Sequence, residues 1–257
     1  MKNKPRAESH SSHHSSPGTH HRPRTIRINK FFTEHGICSR READRLIESG
    51  AVTINGRVAT LGDQVSPQDV VARDGMVIPW GKAPVYLKYH KPVGVTTTSE
   101  PHVKRNIIAE IGYPERIFPI GRLDKDSSGL ILLTNDGDIV NEILRTEFGH
   151  EREYVVEVDR PFDRAFLDRM AAGVEILGSQ TKPCRLGRLS RNRFRITLTE
   201  GRNRQIRRMC QALGYRVTSL QRVRIMHITI AGLGPGQWKE LTEEERETLL
   251  EAVGRDA

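Results

Sequence analysis

The chain has 257 residues, of which 36% are hydrophobic and only 5% aromatic, and its 41 Lys and Arg residues outnumber 32 Asp and Glu. This length suits one large domain, or a small and a medium domain, with enough residues to bury a core. The net charge of +9 favours a polyanionic partner. The longest apolar run, Leu130–Leu133, is far below the roughly 18–20 residues that span a bilayer, so we expect no membrane association.

Cysteine usage and the N-terminus indicate the compartment. The three cysteines, Cys38, Cys184 and Cys210, are widely separated and odd in number, which argues against a disulfide framework. The N-terminus carries basic residues but no apolar segment of the kind that directs secretion. We therefore expect a cytoplasmic protein with reduced thiols.

Residues 1–25 are rich in Ser, His, Pro and Arg and have almost nothing to bury, so we expect a disordered tail. Residues 26–72 predict a compact module of two helices and a hairpin. A first helix ends at Gly36, and a capping box from Ser39 to Glu42 opens the second helix. The Asn55-Gly56 pair between alternating apolar residues predicts the hairpin.

This order of elements resembles the S4 RNA-binding domain. The segments that carry the resemblance are RINKFFTEHGICSRREADRLIESGAVTINGRVA and GDQVSPQDVV. The resemblance implies a module that lies against structured RNA and reads its shape and backbone. The alternative is a small packing module without a ligand. The basic residues for which the resemblance implies RNA contact are Arg27, Lys30, Arg40, Arg41 and Arg57.

A linker at 73–83 precedes a larger region at 84–250, and 251–257 form a C-terminal tail. Strands are predicted at 85–89, 130–134, 153–158 and 194–198, and helices at 138–145, 163–172, 203–213 and from Thr242 onward. Because strands and helices do not alternate regularly, we expect an α+β fold rather than a doubly wound sheet.

Positive charge is concentrated between Lys182 and Arg224. This window holds 12 Arg and one Lys against a single acid, Glu200, a net charge of +12. The planar guanidinium of Arg matches phosphate oxygens bidentately. Since the window overlaps predicted strands and a helix, it favours a nucleic-acid contact built into the fold over a passive solvated face.

Two acids, Asp124 and Asp126, lie in the segment FPIGRLDKDSSGL, flanked by Arg122 and Lys125 and followed by an apolar strand. A loop at the end of a strand can present a carboxylate into a cleft. From the residues alone, this segment is a metal site, a pair of glycosidase acids, a nucleophile, or only a turn with a surface ion pair.

The absence of several known sequence motifs argues against metal, nucleotide and cofactor chemistry. The chain has no cluster of His, Cys and Asp with metal-ligand spacing, no phosphate-binding loop, no nucleophile elbow and no dinucleotide fingerprint. We therefore expect no cofactor and no metal, and catalysis by one carboxylate.

The segment GRNRQIRRMC predicts an amphipathic helix. Arg204 and Arg208 fall on one face with helical spacing, and Ile206 falls on the apolar face. We expect Arg204 to point outward, and Arg207, at the boundary of the faces, to enter a cleft and pair with an acid.

FPIGRLDKDSSGLILLTNDG, with KPVGV before it and REYVVEV and GRNRQIRRM after it, resembles the bacterial ribosomal RNA pseudouridine synthases of the RsuA type. These join an S4 domain to a catalytic domain with a largely antiparallel mixed sheet and a central cleft. The chain is most similar to a branch of this family that acts on the large ribosomal subunit, in the segments GDQVSPQDVV, AAGVEILG and GQWKELTEEE. The resemblance implies a monomer that modifies 23S rather than 16S ribosomal RNA, with tRNA left open as a second substrate.

The resemblance also implies roles for single residues. Asp124 matches the nucleophile that helps to detach uracil from its ribose before the base is turned and rejoined through carbon 5. Arg207 matches the basic residue that pairs with this nucleophile and keeps its pKa low. Tyr154 matches the tyrosine that stacks on the base and accepts a sugar proton, and Ile206 supports the base from its other side.

Five further residues are expected to bind the RNA substrate. Arg122 matches an arginine near the displaced nucleotide, which must be turned out of the RNA before its sugar can be reached. The expected phosphate contacts are Lys91, Arg202, Arg204 and Arg208. Two rival functions remain at this point, a non-catalytic S4-type RNA-binding protein, and a glycosidase or nuclease that uses Asp124 and Asp126 together.

Overall fold

The computed structural model describes residues 25–81, 83–145 and 148–255. The disordered tail predicted at 1–25 lies, except for Thr25, outside the described residues. Within the described ranges, no helix is long and apolar enough to cross a membrane.

The N-terminal module contains two helices and six short strands. Its elements are β1 (Ile26–Arg27), α1 (Ile28–Glu34), α2 (Arg40–Glu48), β2 (Val52–Ile54), β3 (Arg57–Val58), β4 (Gln64–Val65), β5 (Val71–Arg73) and β6 (Met76–Val77). The sheet order is β3-β2-β5-β6, and β1 pairs with β4. Phe31, Phe32 and Val52 are fully buried in its core. Strand β6 extends the module's sheet into the segment predicted as a linker.

The helix caps at Ser39 and Thr242 differ. The hydroxyl of Ser39 accepts a hydrogen bond from the amide of Glu42, as predicted, but the Glu42 carboxylate pairs with Arg45 instead of bonding back. At Thr242, both bonds of the box with Glu245 are present. The competing arginine, one turn along the helix, explains why the first box is only half formed.

The second region is a mixed sheet with helices on its faces. Its strands are β7 (Tyr86–Lys91), β8 (Phe118–Ile120), β9 (Ser128–Thr134), β10 (Arg152–Val158), β11 (Glu175–Ile176), β12 (Ser179–Gln180), β13 (Arg185–Arg188), β14 (Arg193–Leu198), β15 (Val217–Ile225), β16 (Ile228–Thr229) and β17 (Trp238–Glu240). Its helices are α3 (Ile107–Ile111), α4 (Gly137–Leu144), α5 (Arg164–Ala171), α6 (Gln205–Ala212) and α7 (Glu243–Ala252). The main sheet runs β13-β14-β10-β15-β9-β7-β17, with β16 and β8 added beside β15 and β9. All pairs are antiparallel except β15 with β9, so the predicted α+β fold with a largely antiparallel sheet is confirmed.

The centre of strand β9, Leu130–Leu133, is apolar because both of its faces are covered. Leu130 and Leu132 pack into a cluster with α4 and α7, whereas Ile131 and Leu133 pack into a second cluster with β7 and α3. This strand fixes the end of the loop that precedes it.

The parallel pairing of β9 with β15 joins the two halves of the sheet. Here Gly129 lies opposite Arg222. Gly129 has a φ of +115°, and a Cβ at this position would lie 2.5 Å from the backbone nitrogen of Arg222 and still closer to its carbonyl oxygen. The junction therefore requires glycine.

The N-terminal module contacts the second region through charged groups. Lys30 on α1 pairs with Asp138 on α4, and Arg116 donates to the backbone carbonyl oxygen of Cys38. Arg255 pairs with Asp136 at 2.7 Å, so the chain after α7 packs against α4 as well. These contacts hold the basic N-terminal module beside the sheet.

Candidate active site

The Asp124 loop (residues 121–127) connects β8 to β9 and carries both acids of the predicted segment. The amide of Gly94 donates to the carbonyl oxygen of Lys125 at 2.7 Å, and Thr97 Oγ1 donates to that of Leu123, also at 2.7 Å. These bonds tie the loop to the turn that follows β7. The Asp124 side chain, 36% exposed, is thus presented from a fixed backbone.

Lys91 lies at the end of β7 and is fully buried. Its ammonium donates to the carbonyl oxygens of Pro92, at 2.9 Å, and Val95, at 2.8 Å. Burial lowers the pKa of Lys91 to about 8, against the opposing influence of Asp124 and Asp126. The predicted phosphate contact of Lys91 is wrong, because the side chain has no exposed surface. It supports the turn to which the Asp124 loop is bonded.

The ionic partner of Asp124 is also different from the predicted one. Arg204 Nη1 lies 3.2 Å from Asp124 Oδ2, and the Arg204 guanidinium also bonds both carboxylate oxygens of Asp126, at 3.1 and 3.0 Å. Arg207 instead donates to the backbone carbonyl oxygen of Asp126 at 2.8 Å and lies 3.4 Å from its carboxylate. The predicted pairing of Arg207 with Asp124 is therefore wrong, as is the outward orientation of Arg204.

The position at which α6 begins explains why Arg204, and not Arg207, pairs with Asp124. The helix begins at Gln205, and Arg204 is its N-cap residue with a left-handed backbone, φ +50° and ψ +36°. The prediction assumed a helix from 203, which would place Arg204 and Arg208 on one face. Because Arg204 lies outside the helix, its side chain instead reaches the Asp124 loop.

Asp126 joins the loop to α6. The hydrogen bonds from Arg204, helped by the charge of Arg207 and opposed by burial, lower the pKa of the Asp126 carboxyl. Asp126 is therefore ionised at neutral pH and tied to two arginines. Its geometry fits a role in shaping the loop and leaves Asp124 as the acid with one ionic partner.

Asp124 faces a cleft of about 670 Å³, which we call the Asp124 cleft. Tyr154 on β10, Ile206 on α6 and Leu220 on β15 line it with apolar surface. The structure thus brings together most of the residues predicted for catalysis and substrate binding in the second region. Those that line the cleft are Arg122, Asp124, Tyr154, Arg202, Arg204 and Ile206.

A second depression of about 580 Å³ adjoins the first, and Arg122, Asp124 and Arg204 line both. Arg122 is exposed. Its guanidinium is therefore available to a phosphate at the mouth of the Asp124 cleft.

Two other predicted phosphate contacts are engaged within the protein. Arg202 donates to Ser179 and Gln180 and pairs with the buried Glu200 at 3.3 Å. Arg208 donates to the backbone and side-chain oxygens of Asn203, at 3.0 and 3.1 Å. Both arginines hold the segment that precedes α6, and their contact with RNA stays a prediction.

The basic residues of the N-terminal module also differ in their surroundings. Arg27, Arg40 and Arg41 are exposed. Arg57 is on the surface too, where it pairs with Asp63 at 2.9 Å. The ammonium of Lys30 pairs with Asp138 on α4, and its contact with RNA stays a prediction.

Sequence analysis missed two cleft residues, Arg152 and Arg222, which are both buried. The sequence contains a signal for Arg152, since it precedes Tyr154 by two residues on a strand and therefore shares its face. Arg222 was included in the basic window without its burial being evident. Among the described residues, no group of three or more His, Cys, Asp or Glu side chains could hold a metal ion.

Comparison with known proteins identifies the family. Residues 85–212 match the family model for RNA pseudouridylate synthase, and residues 26–71 match that for the S4 domain. The chain is 49% identical over 231 residues to the dual-specificity RNA pseudouridine synthase RluF of Escherichia coli K12, covering 89% of this chain and 80% of the relative. The chain belongs to the RNA pseudouridine synthase family.

Other relatives agree with this assignment. The ribosomal large subunit pseudouridine synthase B of Bacillus subtilis strain 168 is 34% identical over 232 residues, covering 87% of this chain and 95% of the relative. A crystal structure of a pseudouridylate synthase superposes with a TM-score of 0.64 and 30% identity, covering 87% of this chain and 99% of that one. The chain is thus an isomerase that converts uridine to pseudouridine in RNA, and its relatives connect it with the modification of ribosomal RNA. The predicted fold and enzyme class are confirmed.

Proposed function

We propose that Asp124 is the catalytic carboxylate of this pseudouridine synthase. The observation that carries the proposal is its position, on a loop fixed from two sides and at the wall of a cleft shared with Tyr154. Nucleophilic catalysis requires an ionised carboxylate held against the reacting carbon. The guanidinium of Arg204 lies 3.2 Å from this carboxylate and helps to hold it in place.

The other side chains of the cleft suit a uridine turned out of the RNA. The ring of Tyr154 and the side chain of Ile206 offer apolar surfaces to the two faces of a base. Tyr154 also carries a hydroxyl that can hydrogen-bond to the sugar of the displaced nucleotide. Arg122, exposed at the mouth, is placed to hold a phosphate of the displaced nucleotide.

We also propose that the substrate is 23S ribosomal RNA. The proposal is supported by the likeness to RluF and to a synthase of the large ribosomal subunit. The exposed arginines Arg27, Arg40 and Arg41 of the S4 module extend the basic surface available to folded RNA. We further propose a monomer that acts in the cytoplasm, with tRNA as a second substrate.

The two rival functions have less support. A non-catalytic RNA-binding protein would not require the family match over 85–212 or the fixed carboxylate. A glycosidase or nuclease that uses both acids would need Asp126 free, whereas its carboxylate binds Arg204 and Arg207.

The substrate is tested by incubating the purified protein with transcripts of 23S ribosomal RNA, 16S ribosomal RNA and tRNA and mapping pseudouridines by mass spectrometry. We expect new pseudouridine in the 23S transcript and in tRNA, but not in the 16S transcript. Pseudouridine in the 16S transcript alone would contradict the substrate proposal. The Asp124→Asn variant is the control for background modification.

A further inference from the structure

Two arginines in the wall of the Asp124 cleft are buried without an acidic partner among the described residues. Arg222 is 3% exposed and Arg152 is 9% exposed. Nε of Arg222 donates to the carbonyl oxygen of Leu130 at 2.7 Å, and Nη2 of Arg152 donates to that of Ile143 at 3.1 Å. Nη2 of Arg222 is shielded from solvent and has no acceptor in that part of the chain.

Burial of two guanidinium groups without an acidic partner is energetically unfavourable unless an anion binds beside them. A guanidinium stays charged in proteins, so it cannot relieve its burial by losing a proton. Buried cations are therefore normally paired with an acid. Arg224, two residues further along β15, shows the usual solution, since it pairs with Glu151 and Glu153, both at 3.1 Å.

The two unpaired arginines lie beside Tyr154. Tyr154 on β10 is directly opposite Arg222 on β15, and Arg152 precedes Tyr154 by two residues on the same face of β10. All three line the cleft that Asp124 faces. The unsatisfied positive charge is thus located where the ring of Tyr154 offers a surface to the base.

The reaction itself supplies an anion at this place. When the bond between C1′ of the ribose and N1 of the uracil breaks, its electron pair leaves with the base. The uracil then carries one negative charge, which is shared by N1, O2 and O4. In the proposed reaction the carboxylate of Asp124 takes the place of N1 on C1′. Later C5 bonds to C1′ with a pair of electrons from the base as the carboxylate leaves, the C5 proton passes to water and N1 takes up a proton from water, so that atoms and charge balance.

We propose that Arg222, assisted by Arg152, binds the uracil base through a carbonyl oxygen and stabilises the negative charge of the departing base. A positive donor that is already in place where charge develops lowers the barrier of the charge-forming step. A backbone phosphate is a less suitable occupant, because exposed arginines such as Arg122 are available to it at the mouth of the cleft. The inference rests on the proposal that the Asp124 cleft holds the reacting uridine.

The test compares two leaving bases in single-turnover reactions of the full-length Arg222→Gln variant. One RNA carries uridine at the target, and the other carries 5-fluorouridine, whose electron-withdrawing fluorine makes its base anion more stable. Cleavage of the N-glycosidic bond is followed by digestion to nucleosides and chromatography. We expect the variant to lose about 100-fold in rate with uridine, as for removal of one charge-stabilising donor, but only about 10-fold with 5-fluorouridine. RNA affinity should change by less than about threefold.

Two controls separate this role from a structural one. Arg224→Gln removes a paired arginine from the same strand and should slow both substrates equally, whereas Arg222→Lys keeps the charge and should recover part of the uridine rate. Because the comparison is a ratio of two rates on one enzyme preparation, partial unfolding does not alter it. An equal loss on both RNAs would overturn the proposal, and so would a loss of affinity with a weaker salt dependence, which would indicate a phosphate contact.

The outcome also separates this inference from the proposal for Asp124. If Asp124→Asn keeps its activity while Arg222→Gln shows the unequal loss, only the role of Asp124 fails. If Asp124→Asn is inactive and Arg222→Gln slows both RNAs equally, only the role of Arg222 fails.

Discussion

Replacing Gly129 by Ala should destabilise the protein at the junction of β9 and β15. The added Cβ would overlap the backbone of Arg222, and the φ of +115° is one that side-chain-bearing residues rarely adopt. The backbone strain costs about 1–3 kcal/mol, and the overlap adds a similar amount of overpacking. We therefore expect a loss of roughly 3–5 kcal/mol in the free energy of unfolding, a large part of the 5–15 kcal/mol typical of a folded protein.

The measurement is thermal unfolding followed by circular dichroism. A loss of this size corresponds to a fall of roughly 10 °C in the melting temperature. Gly187→Ala is the matched control, because Gly187 also lies in a strand but has open space at its Cβ position, and it should melt close to the parent protein. A Gly129→Ala variant that melts within about 2 °C of the parent would refute the account of this junction.

Three further substitutions test other parts of the structure. Arg204→Gln removes the ionic partner of Asp124 and should lower turnover more than affinity, because the carboxylate loses a side chain that holds it against the cleft. Lys91→Met should remove a pH dependence of stability, since burial lowers the pKa of Lys91 to about 8 from 10.5. The folded state then binds fewer protons than the unfolded state above pH 8, so the parent should gain about 1–2 kcal/mol between pH 8 and pH 9.5. Lys30→Ala should loosen the S4 module, with a coupling to Asp138→Asn of about 1 kcal/mol in a double-mutant cycle.

For each of the three substitutions, one result would contradict the expected effect. A loss of affinity without a loss of turnover in Arg204→Gln would mean that this arginine contacts phosphate. Parallel stability curves for the parent and Lys91→Met between pH 8 and pH 9.5 would contradict the lowered pKa. Additive effects of Lys30→Ala and Asp138→Asn in chemical unfolding would show that the two residues do not interact.

Local patterns predicted much of the architecture because they depend on neighbouring residues. The Ser39 cap and the Asn55-Gly56 turn of the S4 module were evident, and so was the buried strand β9, whose apolar run reflects cover on both faces. The position of Asp124 in a loop before that strand followed from the same pattern. These features need no knowledge of which distant segments meet.

The ion pairs could not be predicted in this way, because they depend on a single backbone conformation and on burial. A helix that starts one or two residues later moves Arg204 from the helix surface to the Asp124 loop. Lys91 and Arg222 carry the charge expected of RNA contacts, yet the packing of the sheet buries both. Sequence identifies the charged residues, whereas the tertiary fold decides which of them face the substrate.

The central claim is that one acid of the segment, Asp124, performs the chemistry, while Asp126 shapes the loop. Single-turnover pseudouridine formation by Asp124→Asn and Asp126→Asn, with RNA affinity measured in parallel, tests it most directly. The account predicts that Asp124→Asn retains less than about 1% of the parent rate, a loss above roughly 2.7 kcal/mol of barrier stabilisation, with affinity within a few-fold. It predicts that Asp126→Asn retains at least about a tenth of that rate. Activity retained in Asp124→Asn and abolished in Asp126→Asn would contradict it.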